Sequence, residues 1–205
     1  MQVKEILTKT RVIPVMVINN LDDALPLAKA LVDGGLTVLE ITLRTPVALE
    51  AIKMIKQALP EAIVGSGTVI DAKTLHASLQ ADVDFIVSPG INSELIKEAQ
   101  TTGAKLLPGA STPSEVMTLM SHGYETMKFF PAEAAGGVSM IKSIGGPLPQ
   151  VTFCPTGGIN LNNAASYLSL NNVACVGGTW MLDQPTIDKK DWNQITQLAI
   201  QASQI

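Results

Sequence analysis

Eight short apolar runs recur along the chain at intervals of about 20 to 26 residues, and most are followed by a turn and a helical pattern. Helices between strands return the chain to the same edge of a sheet, so this alternation predicts an α/β fold with parallel strands. Eight such units in 205 residues have the rhythm of a (β/α)8 TIM barrel, and a doubly wound open sheet is the alternative. The strands are predicted to begin near Val12, Thr37, Ala62, Asp84, Lys105, Glu125, Val151 and Val173.

No linker or low-complexity tract divides the chain, so residues 1–205 are predicted to form a single barrel domain, with a short extra N-terminal helix before the first strand. Helices are predicted over 21–32, 46–59, 72–80, 93–101, 113–120, 138–144, 161–170 and 192–201. Five helix starts carry a capping residue, in two cases followed by proline at the first helical position: Asp71, Asn92, Asn160, Thr45-Pro46 and Thr112-Pro113.

Composition and charge exclude several classes of partner. Charged residues make up only 16% of the chain and the net charge is −4, which argues against nucleic-acid binding. No run of about 18 apolar residues is present, so no membrane contact is expected and a cytoplasmic location is predicted. Cys154 and Cys175 lack metal-ligand spacing, and His76 and His122 fall in or near helical segments, so neither a metal site nor a histidine-based triad is expected.

One lysine is placed unusually, because it ends a predicted strand among apolar and aromatic residues. Lys128 shares a strand face with Thr126 in the run 125–131. Burying an ammonium group is costly unless it loses its proton or finds a partner, and a neutral amine can attack a carbonyl to form a Schiff base. The alternative is a side chain that extends from the strand end to water. Chemistry in a barrel sits at the C-terminal ends of strands, which favours Lys128 as a nucleophile.

The second predicted strand carries a carboxylate on the face that would point into the barrel interior. Val38, Glu40 and Thr42 form one face of this strand, and the opposite face is apolar and suited to covering helices. A carboxylate inside a barrel is suited to proton transfer, although a structural ion pair with Lys128 or Arg44 is an alternative that can coexist with it. Arg44 follows in the loop, where its guanidinium can hold a substrate carboxylate in a bidentate pair or lie free on the surface.

Glycine-rich loops follow several of the predicted strands. Thr68 offers a hydroxyl after the Gly-Ser-Gly run 65–67, and Ser-Pro-Gly follows strand four at 88–90. The last two strands end in the glycine pairs 157–158 and 177–178. Exposed backbone N–H groups at such loops bind phosphate in many barrels, especially after strands seven and eight. Two tight turns without a ligand are the alternative.

Taken together, these motifs resemble the 2-keto-3-deoxy-6-phosphogluconate aldolase family, some members of which also cleave 4-hydroxy-2-oxoglutarate. Lys-Phe-Phe-Pro at 128–131 and Pro-Thr-Gly-Gly-Ile at 155–159 carry the resemblance most strongly. The remaining segments occur in the family's order across nearly the whole chain: 39–45, 65–68, 88–90 and 177–180. The resemblance implies a class I aldolase that needs no metal or other cofactor, assembles as a homotrimer and acts on a small phosphorylated keto acid.

The resemblance also implies roles for individual residues. Lys128 would form the Schiff base and Glu40 would move protons, while four residues would surround the pyruvate end: Arg44, Thr68, Pro89 and Phe130. Thr156 is typical of members that act on the gluconate sugar, whereas galactonate-type members tend to be apolar there. The phosphate would be bound by Gly157, Gly158, Gly178 and Thr179. Thr179 stands where many relatives have serine, and it retains the hydroxyl.

Three other readings remain open from the sequence. The chain could act on the galactonate sugar. It could also be a phosphosugar isomerase or a barrel enzyme similar to thiamine phosphate synthase, and in that case Lys128 would have no catalytic role. It could also be a phosphometabolite-binding module with no turnover.

Overall fold

The computed structural model describes residues 1–205 and contains two parallel sheets with helices between most of the strands. The strands are β1 (Val12–Met16), β2 (Val38–Thr42), β3 (Ile63–Gly67), β4 (Phe85–Val87), β5 (Leu106–Leu107), β6 (Gly109–Ala110), β7 (Thr126–Phe129), β8 (Thr152–Pro155) and β9 (Val176–Gly178). The helices are α1 (Val3–Leu7), α2 (Leu21–Asp33), α3 (Ala48–Ala58), α4 (Ala72–Gln80), α5 (Ser93–Thr102), α6 (Pro113–Ser121), α7 (Gly137–Gly145), α8 (Ala164–Leu168), α9 (Gln184–Asp188) and α10 (Trp192–Ser203). The predicted α/β class with parallel strands is confirmed.

The larger sheet has the strand order β5-β4-β3-β2-β1-β9, and the smaller sheet has the order β6-β7-β8. The predicted fifth strand is divided into β5 and β6 by Pro108, which has no backbone N–H to donate to a ladder. Two isolated parallel bridges, Phe153↔Val173 and Thr156↔Gly177, join the chain around β8 to the chain around β9. The end of the smaller sheet therefore lies against the end of the larger one.

Three of the five predicted N-caps are confirmed by side-chain hydrogen bonds, and two are wrong. Asp71, Asn92 and Thr112 each accept from a backbone N–H in the first turn of their helices. The hydroxyl of Thr45 instead donates to the carbonyl of Ile18 at 2.6 Å, and α3 begins later, at Ala48.

Asn160 is the second wrong cap, because it starts a turn rather than a helix. Its backbone N–H donates to the side chain of Asn163 at 2.8 Å, and α8 begins only at Ala164. Helix α9 was not predicted from the sequence, although Pro185 lies in its first turn.

The alternating faces of β2 divide the apolar core. Leu39 and Ile41 belong to the large cluster of 39 buried residues that includes residues of the surrounding helices. Val38 belongs to a separate cluster of nine buried residues contributed by strands and by α1: Ile6, Leu7, Ile13, Val38, Phe85, Val87, Leu107, Cys154 and Cys175. Fully burying a side chain such as leucine stabilises a fold by about 1.5–3 kcal/mol, which fixes the register that points Val38 and Glu40 inward.

No helix has the length and apolar character needed to cross a bilayer.

Candidate active site

Two charged side chains, one from each sheet, meet in the interior between the strands, toward the C-terminal ends of those strands. The Nζ of Lys128, on β7, lies 3.1 Å from Oε1 and 3.5 Å from Oε2 of Glu40, on β2. Both residues are buried, with 6% and 4% of their surfaces exposed. Water screens such a pair little, so the two charges stabilise each other and a proton can pass between them along one hydrogen bond. The structure thus brings together the two residues that the sequence predicted for chemistry, in contact with each other.

The larger sheet shapes the pocket around Glu40 through a glycine that the sequence analysis did not single out. Gly67 ends β3 and pairs with Thr42 in the ladder, beside Glu40. A side-chain carbon at Gly67 would collide with the Glu40 carboxylate. Thr42 is buried as well, and its hydroxyl donates to the carbonyl of Met16 at 2.9 Å. The glycine therefore leaves room for the carboxylate to turn toward Lys128.

Aromatic and proline residues line the lysine side of the site. Lys128 Nζ lies 5.4 Å from the centre of the Phe130 ring, a distance at which a cation is attracted to the ring face. Lys128 is paired with Gly109 in the ladder of β6 and β7. Pro89 packs over Gly109 so closely that no side chain would fit there. Phe130 thus lies beside the lysine amine, and the Pro89 backbone lies against the glycine that pairs with Lys128.

The loop after β2 contacts the loop after β3. The Nε of Arg44, which is exposed, donates to the hydroxyl of Thr68 at 3.2 Å. Thr68 has a positive φ of 61°, a conformation that is uncommon for threonine and that turns the chain directly after β3. The guanidinium retains its other donors, and the contact holds it at the rim above the Lys128–Glu40 pair.

The first glycine pair forms a turn with free donors. Gly157 and Gly158 have φ values of 102° and 78°, which residues with side chains rarely adopt. Their backbone N–H groups donate no hydrogen bond within the protein, and neither does that of Thr179 after β9. Successive N–H groups in such a turn form a concave site for an anion. This geometry agrees with the predicted phosphate loops, although α8, which follows the turn, has only five residues.

Thr156 and Gly178 lie between the lysine and these loops. Thr156 is 6% exposed, and its hydroxyl is buried without a hydrogen-bond partner. A side chain at Gly177 would collide with that hydroxyl, so Thr156 packs across the bridge to β9. Gly178 is covered by the ring of Trp180, which leaves no space for a side chain. The hydroxyl of Thr156 therefore has no hydrogen-bond partner within the protein.

The remaining reactive side chains make no hydrogen bond with Lys128 or Glu40. Cys154 and Cys175 are free and buried, with their sulfur atoms 3.5 Å apart. His76 on α4 contacts Glu98 at 2.8 Å, and His122 ends α6. No cluster of three or more histidine, cysteine, aspartate or glutamate side chains could hold a metal ion.

Comparison with known proteins gives consistent matches over nearly the whole chain. The family model described as KDPG and KHG aldolase matches residues 3–198, where KDPG is 2-keto-3-deoxy-6-phosphogluconate and KHG is 4-hydroxy-2-oxoglutarate. The KHG/KDPG aldolase of Escherichia coli is 47% identical over 199 residues, which cover 97% of this chain and 93% of the relative.

Two solved structures are similar in both fold and sequence. A KDPG aldolase from Legionella pneumophila, with pyruvate captured as a covalent carbinolamine intermediate, is 46% identical with a TM-score of 0.96, covering 99% of this chain and 98% of that one. The KDPG aldolase of Zymomonas mobilis with 3-phosphoglycerate is also 46% identical, with a TM-score of 0.92 and coverages of 97% and 93%.

Proposed function

The chain belongs to the KDPG and KHG aldolase family, and from this membership and the site geometry we propose that it is a class I aldolase. Its substrate is KDPG, which it cleaves to pyruvate and glyceraldehyde 3-phosphate. The observation that carries the proposal is the buried contact of 3.1 Å between Lys128 Nζ and the Glu40 carboxylate. The nucleophile and its proton acceptor are thereby in place before the substrate arrives.

The first half of the reaction forms a Schiff base. Glu40 takes a proton from the Lys128 ammonium group, and the neutral amine attacks the C2 carbonyl carbon of KDPG. The carbinolamine hydroxyl then takes the proton that Glu40 had accepted and leaves as water, which gives a protonated imine and restores the Glu40 carboxylate. Arg44 and Thr68 hold the C1 carboxylate at the rim, and Pro89 and Phe130 enclose the reacting carbons. The carbinolamine captured in the Legionella protein supports this route.

The second half breaks the bond between C3 and C4. Glu40 takes the proton of the C4 hydroxyl, the C4 carbon becomes the aldehyde of glyceraldehyde 3-phosphate, and the bonding electrons pass into the imine to give an enamine. Glu40 then returns the proton to C3, and water hydrolyses the pyruvate imine. Thr156 binds a hydroxyl of the sugar, and the phosphate is held by Gly157, Gly158, Gly178 and Thr179. The free N–H groups of Gly157, Gly158 and Thr179, and the phosphorylated ligand of the Zymomonas protein, support this assignment.

The finer architecture is part of the proposal. We infer that the two sheets close into an eight-stranded barrel, with β5 and β6 as one interrupted strand, in a single domain over residues 1–205. The two bridges between β8 and β9 support closure. The enzyme is proposed to be a cytoplasmic homotrimer that needs no cofactor, metal, nucleic acid or membrane. Light scattering should then give three times the chain mass of 21.6 kDa.

Substrate choice within the family is proposed from Thr156 and from the name of the Escherichia coli relative, which includes KHG. KDPG is the main substrate, and KHG, which yields pyruvate and glyoxylate, is a second one. The galactonate sugar is the alternative that an apolar residue at 156 would favour. Measuring kcat/KM on the three keto acids side by side decides between them.

Reduction with borohydride in the presence of pyruvate tests the mechanism. The expected result is a carboxyethyl group on Lys128, located by peptide mass mapping, with adduct and turnover both lost in Lys128→Met. Lys105→Met is the matched control, because Lys105 precedes β5 at the opposite end of the strands. An adduct on another lysine, or turnover that survives Lys128→Met, would favour an isomerase-type barrel enzyme. Phosphate-dependent binding without turnover of any keto acid would favour a binding module.

A further inference from the structure

A carboxylate and a phenol form a pair behind the turn at Gly157 and Gly158, outside the residues assigned to the substrate. The hydroxyl of Tyr167, on α8, donates to Oε1 of Glu133, in the loop after β7. Tyr167 is fully buried. Burial, together with the hydrogen bond and the charge of Glu133, raises the pKa of Tyr167 far above its usual value, so its hydroxyl stays a donor throughout the working range of pH.

The Glu133 side chain lies directly against the turn. A side-chain carbon at Gly158 would lie 2.6 Å from Cγ of Glu133, so the glycine rests on the aliphatic part of that side chain. The backbone N–H of Glu133 also donates to the carbonyl of Gly157 at 3.1 Å. Glu133 therefore supports both glycines, and Tyr167 fixes the far end of Glu133.

Every carbonyl in the turn accepts a hydrogen bond. Ala132 N–H donates to the carbonyl of Thr156 at 2.8 Å, and Asn163 Nδ2 donates to the carbonyl of Gly158 at 3.0 Å. The N–H groups of Gly157 and Gly158, in contrast, donate no hydrogen bond within the protein. Tyr167 and Asn163 both belong to the α8 region, so this region holds the turn at two points.

We propose that Tyr167, acting through Glu133, is a positioning residue that holds the N–H groups of Gly157 and Gly158 in the arrangement that receives the substrate phosphate. The inference rests on the proposed function. Neither residue of the pair is hydrogen-bonded to Lys128 or Glu40. Loss of the pair loosens the turn and frees a negative charge beside a phosphate site, which weakens phosphate binding and leaves the Schiff-base chemistry intact.

The test compares a phosphorylated with a non-phosphorylated substrate in Tyr167→Phe, which keeps the buried ring and removes only the donor. Losing one hydrogen bond to a charged group is expected to raise the KM for KDPG by about tenfold. The Ki of inorganic phosphate as a competitor should rise in parallel. The KM and kcat for KHG, which has no phosphate, should stay within about twofold of wild type, as should borohydride trapping of pyruvate.

Two further variants make the result specific. Tyr124→Phe makes the same chemical change at the other tyrosine of the chain, which precedes the N-terminal end of β7. This variant should change neither the KM for KDPG nor the KM for KHG. Glu133→Gln retains the aliphatic stem and an oxygen that accepts from Tyr167, so its KM for KDPG should remain near that of wild type.

Equal losses on KDPG and KHG in Tyr167→Phe, or no loss on KDPG, would overturn the inference. A KM for Glu133→Gln as high as that of Tyr167→Phe would do the same. Failure of the proposed function looks different, because the wild-type protein would then form no pyruvate adduct. The Kd of inorganic phosphate, measured directly by titration calorimetry, would still report on the turn in that case.

Discussion

Single residues decide what the site can do, and the pair of Lys128 and Glu40 shows why. The two residues are 88 positions apart in the chain, yet their side chains make one buried hydrogen bond. Removing one partner of a buried ion pair leaves an uncompensated charge and typically costs about 3–5 kcal/mol of stability. A useful substitution must therefore remove the proton-transfer function and keep a hydrogen-bond acceptor for the lysine.

Glu40→Gln meets this requirement. The amide oxygen can still accept from Lys128, but the side chain can no longer take the proton of the C4 hydroxyl. Loss of a general acid–base group predicts a fall in kcat of about 10²- to 10⁴-fold on KDPG. The pyruvate imine should still form and be trapped by borohydride on Lys128, although more slowly, because Lys128 has lost the acceptor for its proton. Steady-state kinetics together with mass mapping checks both parts, and a kcat within threefold of wild type would remove Glu40 from its role.

Gly67→Ala is expected to damage the site from the neighbouring strand. The new methyl group collides with the Glu40 carboxylate and displaces it from Lys128. Because positioning errors near 1 Å cost about 10²-fold, kcat should fall by that order while far-UV circular dichroism stays native. Gly146→Ala is the matched control, since its nearest neighbour would be 3.5 Å away and its φ is −59°. Similar activity in both variants would show that Gly67 does not shape the site.

The sequence predicted part of this residue-scale picture. Strand alternation was sufficient to place Glu40 on the interior face, and the position at a strand end singled out Lys128. Gly67 and Tyr167 were not identified, because their importance depends on contacts with Glu40 and Glu133 across the fold. The run of glycines at 65–67 was the only signal available for Gly67.

Among the helices and strands, helix starts were predicted well where the capping side chain had no competing partner. Thr112 and Glu115 of α6 form a capping box, with Pro113 at the first helical position. Thr45 shows the same local pattern, yet its hydroxyl binds the carbonyl of Ile18, which the local sequence cannot reveal. Thr45 therefore fails as a predicted cap because a tertiary contact outweighs the local preference.

The capping box predicts a specific pH dependence of stability. Burial raises the pKa of Glu115, but hydrogen bonds from the backbone and hydroxyl groups of Ser111 and Thr112 outweigh it, so that the pKa is lowered overall. A lowered pKa in the folded state means that this stabilisation is present above the unfolded value of about 4.3 and is lost as the pH falls through the folded value.

Urea unfolding of wild type and Glu115→Gln tests this dependence. The two free energies of unfolding should differ most near pH 7 and converge as the pH falls below about 4. Glu61→Gln, at an exposed position between α3 and β3, serves as the control for removing one carboxylate from the chain. A gap between wild type and Glu115→Gln that is constant from pH 7 to about 3 would contradict the assignment.

At the scale of the whole molecule, the proposed active site spans both sheets. Glu40 belongs to the larger sheet and Lys128 to the smaller one, so the proposed catalysis needs the two sheets to stay in register. The periodicity of strands and helices predicted the α/β class but not this division. Pro108 interrupts one strand, and only two isolated bridges link β8 to β9. Such details depend on backbone geometry across distant segments rather than on local pattern.

The two bridges define the β8–β9 seam, and the cysteines can report on it. Cys154 and Cys175 lie on either side of the seam with their sulfur atoms 3.5 Å apart. The contact with Cys154 and burial hold the pKa of Cys175 well above its usual range. Since only the exposed thiolate reacts with a disulfide reagent, both cysteines should react only when the seam opens.

Labelling with dithionitrobenzoate should therefore find no fast thiol in the native protein and two thiols after denaturation. Below the unfolding transition, urea should speed the reaction of both cysteines together, because one opening event exposes both. Ser114→Cys, on the exposed face of α6, adds a thiol that should react at once and so verifies the reagent. If one native cysteine reacted within the mixing time, the seam would be open in the native protein. The proposed barrel would then not be closed at β8, the strand next to the one that carries Lys128.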